Sequence, residues 1–137
     1  MQDRPDKATL LDAVARFLVA EVKPAIGDPA LGFRTLIAAQ LASVVARELR
    51  AEDEHDEAEL ARLRALLPEV GIDETKLARR DGRHEIFVRL NAELAARLRD
   101  GRVGEGELAR VRAHLAQTLR EKLSVVTPHF DTTAEVP

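Results

Sequence analysis

Between Arg50 and Leu60 the sequence reads RAEDEHDEAEL, six carboxylates and one histidine in eleven residues. Within it, Glu52-x-x-His55 has the spacing from which helical bundles build half of a di-iron site, because residues three apart share a helix face. A complete site needs a second Glu-x-x-His and further inward glutamates, and the chain holds no second copy. So many acids repel one another when buried and are readily solvated when exposed. The run is therefore expected to be the solvated junction between a second and a third helix, with its charge close to the third helix's free amides.

A basic run, KLARRDGRHEIFVR, follows at 76–89. Lys76, Arg79, Arg80 and Arg83 are its anion-site candidates, because arginine forms paired hydrogen bonds to phosphate oxygens such as those of coenzyme A. The favoured expectation is that these cations face water or pair with the acidic run, with the anion site as the alternative. Three further polar residues, Arg34, Gln40 and Asn91, are expected to point inward. Arg34 lies in the most apolar stretch, with Asp3, Asp12 or Glu21 as partners for a buried guanidinium, or else at the helix edge with its charge in water. Gln40 and Asn91 would bond each other or a backbone carbonyl, or line a ligand pocket.

Other chemistry finds no support. His55, His84, His114 and His129 lack the i, i+4 spacing of a helical zinc pair. Ser43 and Ser124 lie in helical apolar stretches without the strand-turn-helix context of a nucleophile elbow. GRVGEG lacks the lysine and hydroxyl residue of a phosphate loop. No catalytic residue, metal ligand or cofactor is assigned, and the balance leans away from an enzyme.

The elements that would carry these residues are all helices. Thr9 and Asp12 suit a first helix presenting Leu10, Val14, Phe17 and Leu18 and ending at Pro24. Asp28-Pro29 suits the start of a second, 29–50. Its only charge between Leu31 and Ala46 is Arg34, so Phe33, Ile37, Leu41, Val44 and Val45 share it with an alanine-rich side. A helix apolar all round belongs at the centre of a bundle. Ala38, Ala39, Ala42 and Ala46 would let another helix approach, from this chain or from a second copy. A third helix runs from about Asp56 to Pro68 and a short one covers 73–80. A turn at Asp81-Gly82 precedes a fourth, with Ile86, Phe87, Leu90, Leu94 and Leu98, ending at Gly101. The fifth carries Leu108, Val111, Leu115, Leu119 and Leu123. The expected fold is an all-α, single-domain bundle of four or five mostly antiparallel helices over 1–127, with helix two central and a tail at 128–137.

Composition agrees. The 137 residues include 22 alanines and 19 leucines, while aromatics are 3% and cysteine, tryptophan and tyrosine are absent. Alanine and leucine favour helices, and sheets prefer β-branched and aromatic side chains. A net charge of -3 gives no general attraction for nucleic acid. The absence of cysteine fits a reducing compartment, and the charged N-terminus is unlike a secretory leader. The apolar run 36–46 is shorter than the roughly 20 residues a membrane-spanning helix needs. A soluble, cytoplasmic protein, with no membrane or nucleic-acid partner, is the expectation.

The stretches TLLDAVARFL, FRTLIAAQLASVVARELR, LNAELAARLRDG and AHLAQTLREKLSVVTPHF resemble a family of small, uncharacterised, all-helical bacterial proteins. The resemblance implies genes often encoded near acyl-CoA dehydrogenases and aminoglycoside-phosphotransferase-like proteins. It carries over no catalytic residue. Gln40 and Pro128-His129-Phe130 depart from the asparagine and Pro-Arg-Tyr usual there. The expected role is a non-catalytic interaction or accessory module, self-associating or docked on a partner such as an acyl-CoA-related enzyme. The alternative is a bundle that carries or senses an acyl group or acyl-CoA.

Overall fold

A computed structural model describes residues 5–129, and among these every regular element is helical. Helix α1 covers Lys7–Phe17. It starts earlier than expected because the carboxylate of Asp6, a stronger acceptor than the Thr9 hydroxyl, takes the Thr9 amide at 2.8 Å. Pro24 does not stop it outright. A π-helical turn, Leu18–Val22, leads into a last helical turn, Lys23–Ala25. The wider turn accommodates a proline that has no N–H to donate and whose ring would crowd the preceding turn.

Helix α2 is Pro29–Leu66, 38 residues without interruption. Its start is as expected, with the Ala30 amide donating to Asp28 at 2.9 Å. The expected junction near Arg50 is absent. The acidic run lies in the middle of a helix, because a change from apolar to charged residues is no helix break when it contains neither glycine nor proline and is rich in alanine and glutamate. Short α3 (Glu74–Leu77), capped by Asp73, precedes α4 (Arg80–Arg99) and α5 (Glu105–Val126). Gly101 closes α4 at φ 66°, with Arg102 donating to the Arg97 carbonyl at 3.0 Å and Gly101 to that of Leu98 at 3.3 Å. That is a Schellman motif, which favours glycine at this position. Asp81-Gly82, expected as a turn, belongs instead to the start of α4. Gly82 is there because a Cβ would collide with the backbone carbonyl of Lys76.

The chain separates into two compact units, one of 54–122 and one of 1–53 with 123–137, with boundaries inside α2 and inside α5. In the first, Leu63, Leu66, Leu67, Ile86, Leu90, Leu94 and Val111 form a buried core, flanked by half-buried Leu60, Val70, Ile72 and Phe87. The second is built differently. Its buried residues are small: Ala8 and Ala15 on α1, and Thr35, Ala39 and Ala46 on α2. Asp12 pairs with Arg50 at 2.6 Å, and the Arg47 Nε donates to the carbonyl of Val125 at 2.7 Å. The 29–50 stretch was expected to be sheltered on all sides, and it is not. Phe33 is 64% exposed and Leu41 60%, because this helix packs through its alanine side and leaves its large side chains outside.

Two glycine substitutions should move stability in opposite directions. Gly82→Ala should lower it by about 2 kcal/mol, since the added methyl meets backbone. Gly32→Ala, where a Cβ meets nothing, should raise it by up to about 1 kcal/mol from helix propensity alone. Denaturant unfolding of the two variants beside the parent checks both signs.

Candidate functional site

The three polar residues expected inside are all on the surface. Arg34 lies on the outward side of α2, where water solvates its charge at no burial cost. Asp12, one proposed partner, is taken by Arg50; Asp3, another, lies outside the described residues. Gln40 borders an open groove, and Asn91 donates to the Phe87 carbonyl one turn back at 3.0 Å. Asn91 also reaches Glu59 at 3.4 Å, not Gln40.

The basic run does not gather around one point. Lys76 is held by both oxygens of Glu85, at 2.8 and 2.9 Å. Arg83 lies 3.8 Å from Asp56 of the acidic run. Arg79 and Arg80 are exposed on either side of the α4 start. Ion pairing therefore draws Lys76 and Arg83 to separate partners. The acidic run supplies partners to α4 in the same way, through Asp56 and Glu59. Among the described residues, no group of three or more His, Asp or Glu side chains is arranged to hold a metal ion.

A polar cluster that the sequence reading missed lies on α5 facing α2. Val111, His114 and Thr118 are its buried residues, spaced along one helix face, with Glu121 one turn further on. Arg62 on α2 grips Glu121 with two nitrogens, at 2.9 and 2.6 Å, and reaches Thr118 at 3.3 Å and the His114 Nδ1 at 3.4 Å. Gln117 adds a 3.0 Å bond to Glu121. Burial drives the His114 pKa down from 6.5, and the neighbouring Arg62 charge pushes the same way against the pull of Glu59 and Glu121. With Nδ1 accepting, the neutral ring carries its proton on Nε2, which is buried without a partner. For Glu121, burial acts to raise the pKa, but the bonds from Arg62 and Gln117 outweigh it and hold the carboxyl below its ordinary range. The cluster can fix the register of α5 on α2. It holds no nucleophile paired with a base. Leu115 and Leu119, expected inside, are exposed because this polar face has taken their place. A polar spacing of four and three between His114, Thr118 and Glu121 was the available signal.

The larger feature is apolar and belongs to the unit built on the first 53 residues. Leu10, Val14 and Phe17 on α1 are each about half exposed, as are Leu31, Phe33, Ile37, Leu41 and Val45 on α2. Spacings of four and three on α1, and of four from Phe33 to Val45 on α2, make a stripe along each helix. Monomeric proteins scatter exposed apolar residues singly; contiguous stripes mark contact surfaces. A groove of about 750 Å³ also opens between α1 and α2, walled by Ala15, Val19, Leu36 and Ala39 with Arg16 and Gln40 on its border. Helix α2 is long and apolar enough, by length and composition, to cross a membrane: its best window reaches a mean hydropathy of 1.4, of which 11% is buried. The run 36–46 had looked too short because the count stopped at the first charges.

A family model described as a domain of unknown function, DUF6285, matches residues 24–130. No curated protein and no solved structure matches the chain.

Two outcomes test the polar cluster. Arg62→Ala removes the two-nitrogen grip on a half-buried Glu121 and should destabilise the fold by about 3 kcal/mol, read by chemical denaturation. His114 has a folded pKa below its unfolded 6.5, so the unfolded chain binds more protons between the two values. Its contribution is whole above 6.5 and drains away as pH falls from there through the folded value. Melting temperature should therefore drop across that window, and His114→Gln should flatten the drop.

Proposed function

Because the chain belongs to the DUF6285 family, a domain of unknown function, its role has to be read from its own surface, and we propose that it is a non-catalytic helical module acting through the apolar stripes of α1 and α2 on a protein partner. The observation that carries this reading is the inversion within that unit, where alanines are buried while Phe17, Phe33 and Leu41 stand more than half exposed. Shielding side chains of this size from water is worth about 1.5–3 kcal/mol each. A partner that covers several gains a substantial driving force.

A protein fits this surface better than a bilayer does. Arg34 and Glu48 lie on the same helix among the apolar residues, and a charge carried to the centre of a membrane costs about 2.5–3.5 kcal/mol on insertion scales. Both charges suit the rim of a protein interface. The gene neighbourhood implied by the resemblance makes an acyl-CoA-related enzyme the first partner to examine, in the cytoplasm. The groove between α1 and α2 favours a second reading, the binding of an apolar small molecule such as an acyl chain, since its volume is that of a ligand pocket. Among the described residues Arg16 is the one cation on its border, short of the several charges that the phosphates of a coenzyme A present.

The test compares the parent with a Phe17→Glu, Phe33→Glu variant. Both sites are exposed, so melting should stay within about 0.5 kcal/mol of the parent. Tagged parent, used to capture partners from an extract of its source, should retain proteins that the variant loses. Identical capture by both, or binding of the parent to lipid vesicles in place of proteins, would overturn the reading.

A further inference from the structure

On the outward side of α2 the residues Arg34, Ile37, Leu41, Val45 and Glu48 follow one another at spacings of three, four, four and three. These spacings keep all five on one helix face. Ile37, Leu41 and Val45 are 45%, 60% and 43% exposed, and Arg34 and Glu48 are exposed at the two ends. The sequence of spacings reads the same from either end, with Leu41 at its middle. The charges are opposite at the two ends, and among the described residues neither is held in an ion pair. Over the fourteen residue steps from Arg34 to Glu48 the face is about 21 Å long.

We infer that this face pairs with a second copy of the same chain, antiparallel about a two-fold axis through Leu41, so that Arg34 of each copy meets Glu48 of the other. The inference rests on the proposed function and names the partner. A two-fold interface requires a surface complementary to itself, in which residue i meets j and j meets i. Rotation about Leu41 meets that requirement: Leu41 faces its own equivalent, Ile37 faces Val45, and the cation faces the anion twice. A parallel pairing in register would set Arg34 against Arg34 and Glu48 against Glu48, two repulsions in place of two attractions. Antiparallel helices also bring their opposite dipole ends together. Ala38, exposed beside this face, is small enough to let the second helix come close.

Light scattering on size-separated full-length protein across micromolar concentrations reads the outcome. The parent should dimerise. Arg34→Glu and Glu48→Arg should each weaken dimerisation by about tenfold or more, since each places like charges together twice. The double variant should recover most of the loss, a rescue that a merely structural role for either residue would not give. The chain has no cysteine, so Leu41→Cys offers a single thiol per copy. A short bismaleimide should join two such chains efficiently, while Val88→Cys, equally exposed on α4, should not be joined. A monomeric parent overturns the inference, as does a dimer indifferent to charge reversal or not linked through position 41. A monomer that still captures partners through Phe17 and Phe33 removes the pairing and leaves the proposed function standing.

Discussion

The constraint on which the unit of 1–53 with 123–137 depends is that α2 has a small side and a large side, and only one of them can face its neighbour. Alanines at 39 and 46 with Thr35 permit close approach, and α1 meets them with Ala8 and Ala15. That choice gains tight backbone contact but little apolar area, because a methyl group offers far less surface than a leucine or phenylalanine. The large side chains are then turned outward. The same helix continues into the unit of 54–122, where Leu63, Leu66 and Leu67 face inward and form a core of ordinary bulk. One helix thus takes part in two opposite solutions to the same packing problem.

In the unit of 54–122, polarity within the packed face serves a different end. Arg62 could have been replaced by a leucine in an oily seam, yet it grips Glu121, touches Thr118 and lies beside His114. A paired guanidinium and carboxylate add little to net stability when both must leave water. They do specify register: sliding α5 by one turn would leave both charges stranded. The acids at Asp56 and Glu59 meet Arg83 and Asn91 of α4 in a looser version of the same arrangement.

Helix content was legible in the sequence because alanine, leucine and glutamate all favour it, and the ends were legible where a residue imposes geometry. Asp28-Pro29 opened α2 and Gly101 closed α4 for the reasons their chemistry gives. Two boundaries misled. A shift from oily to acidic residues near Arg50 looked like a junction, although nothing in it breaks a helix. Gly82 looked like a turn, although its role is to let the Lys76 carbonyl pass. The facing of helices was less legible still. Periodicity says that Phe33, Ile37 and Leu41 share a side, and that the alanines share another; it is silent on which side the neighbour takes. For the same reason Arg34, Gln40 and Asn91 were set inside, while His114 and Thr118 went unnoticed on a face that reads as interrupted leucines.

The side chain of Arg47 reaches the carbonyl of Val125, joining residues 78 apart in sequence within one unit. The unit of 54–122 is a single continuous segment, whereas the other needs both flanking segments. The continuous segment holds all of its own core within one stretch of chain, whereas the flanking unit cannot close until its two distant ends meet. The inner segment therefore has the opportunity to fold first, and its compaction draws the two flanks toward each other, shortening the loop that Arg47 and Val125 must close. The oily flank spends that interval incomplete, which makes it the part of a newborn chain most in need of a chaperone.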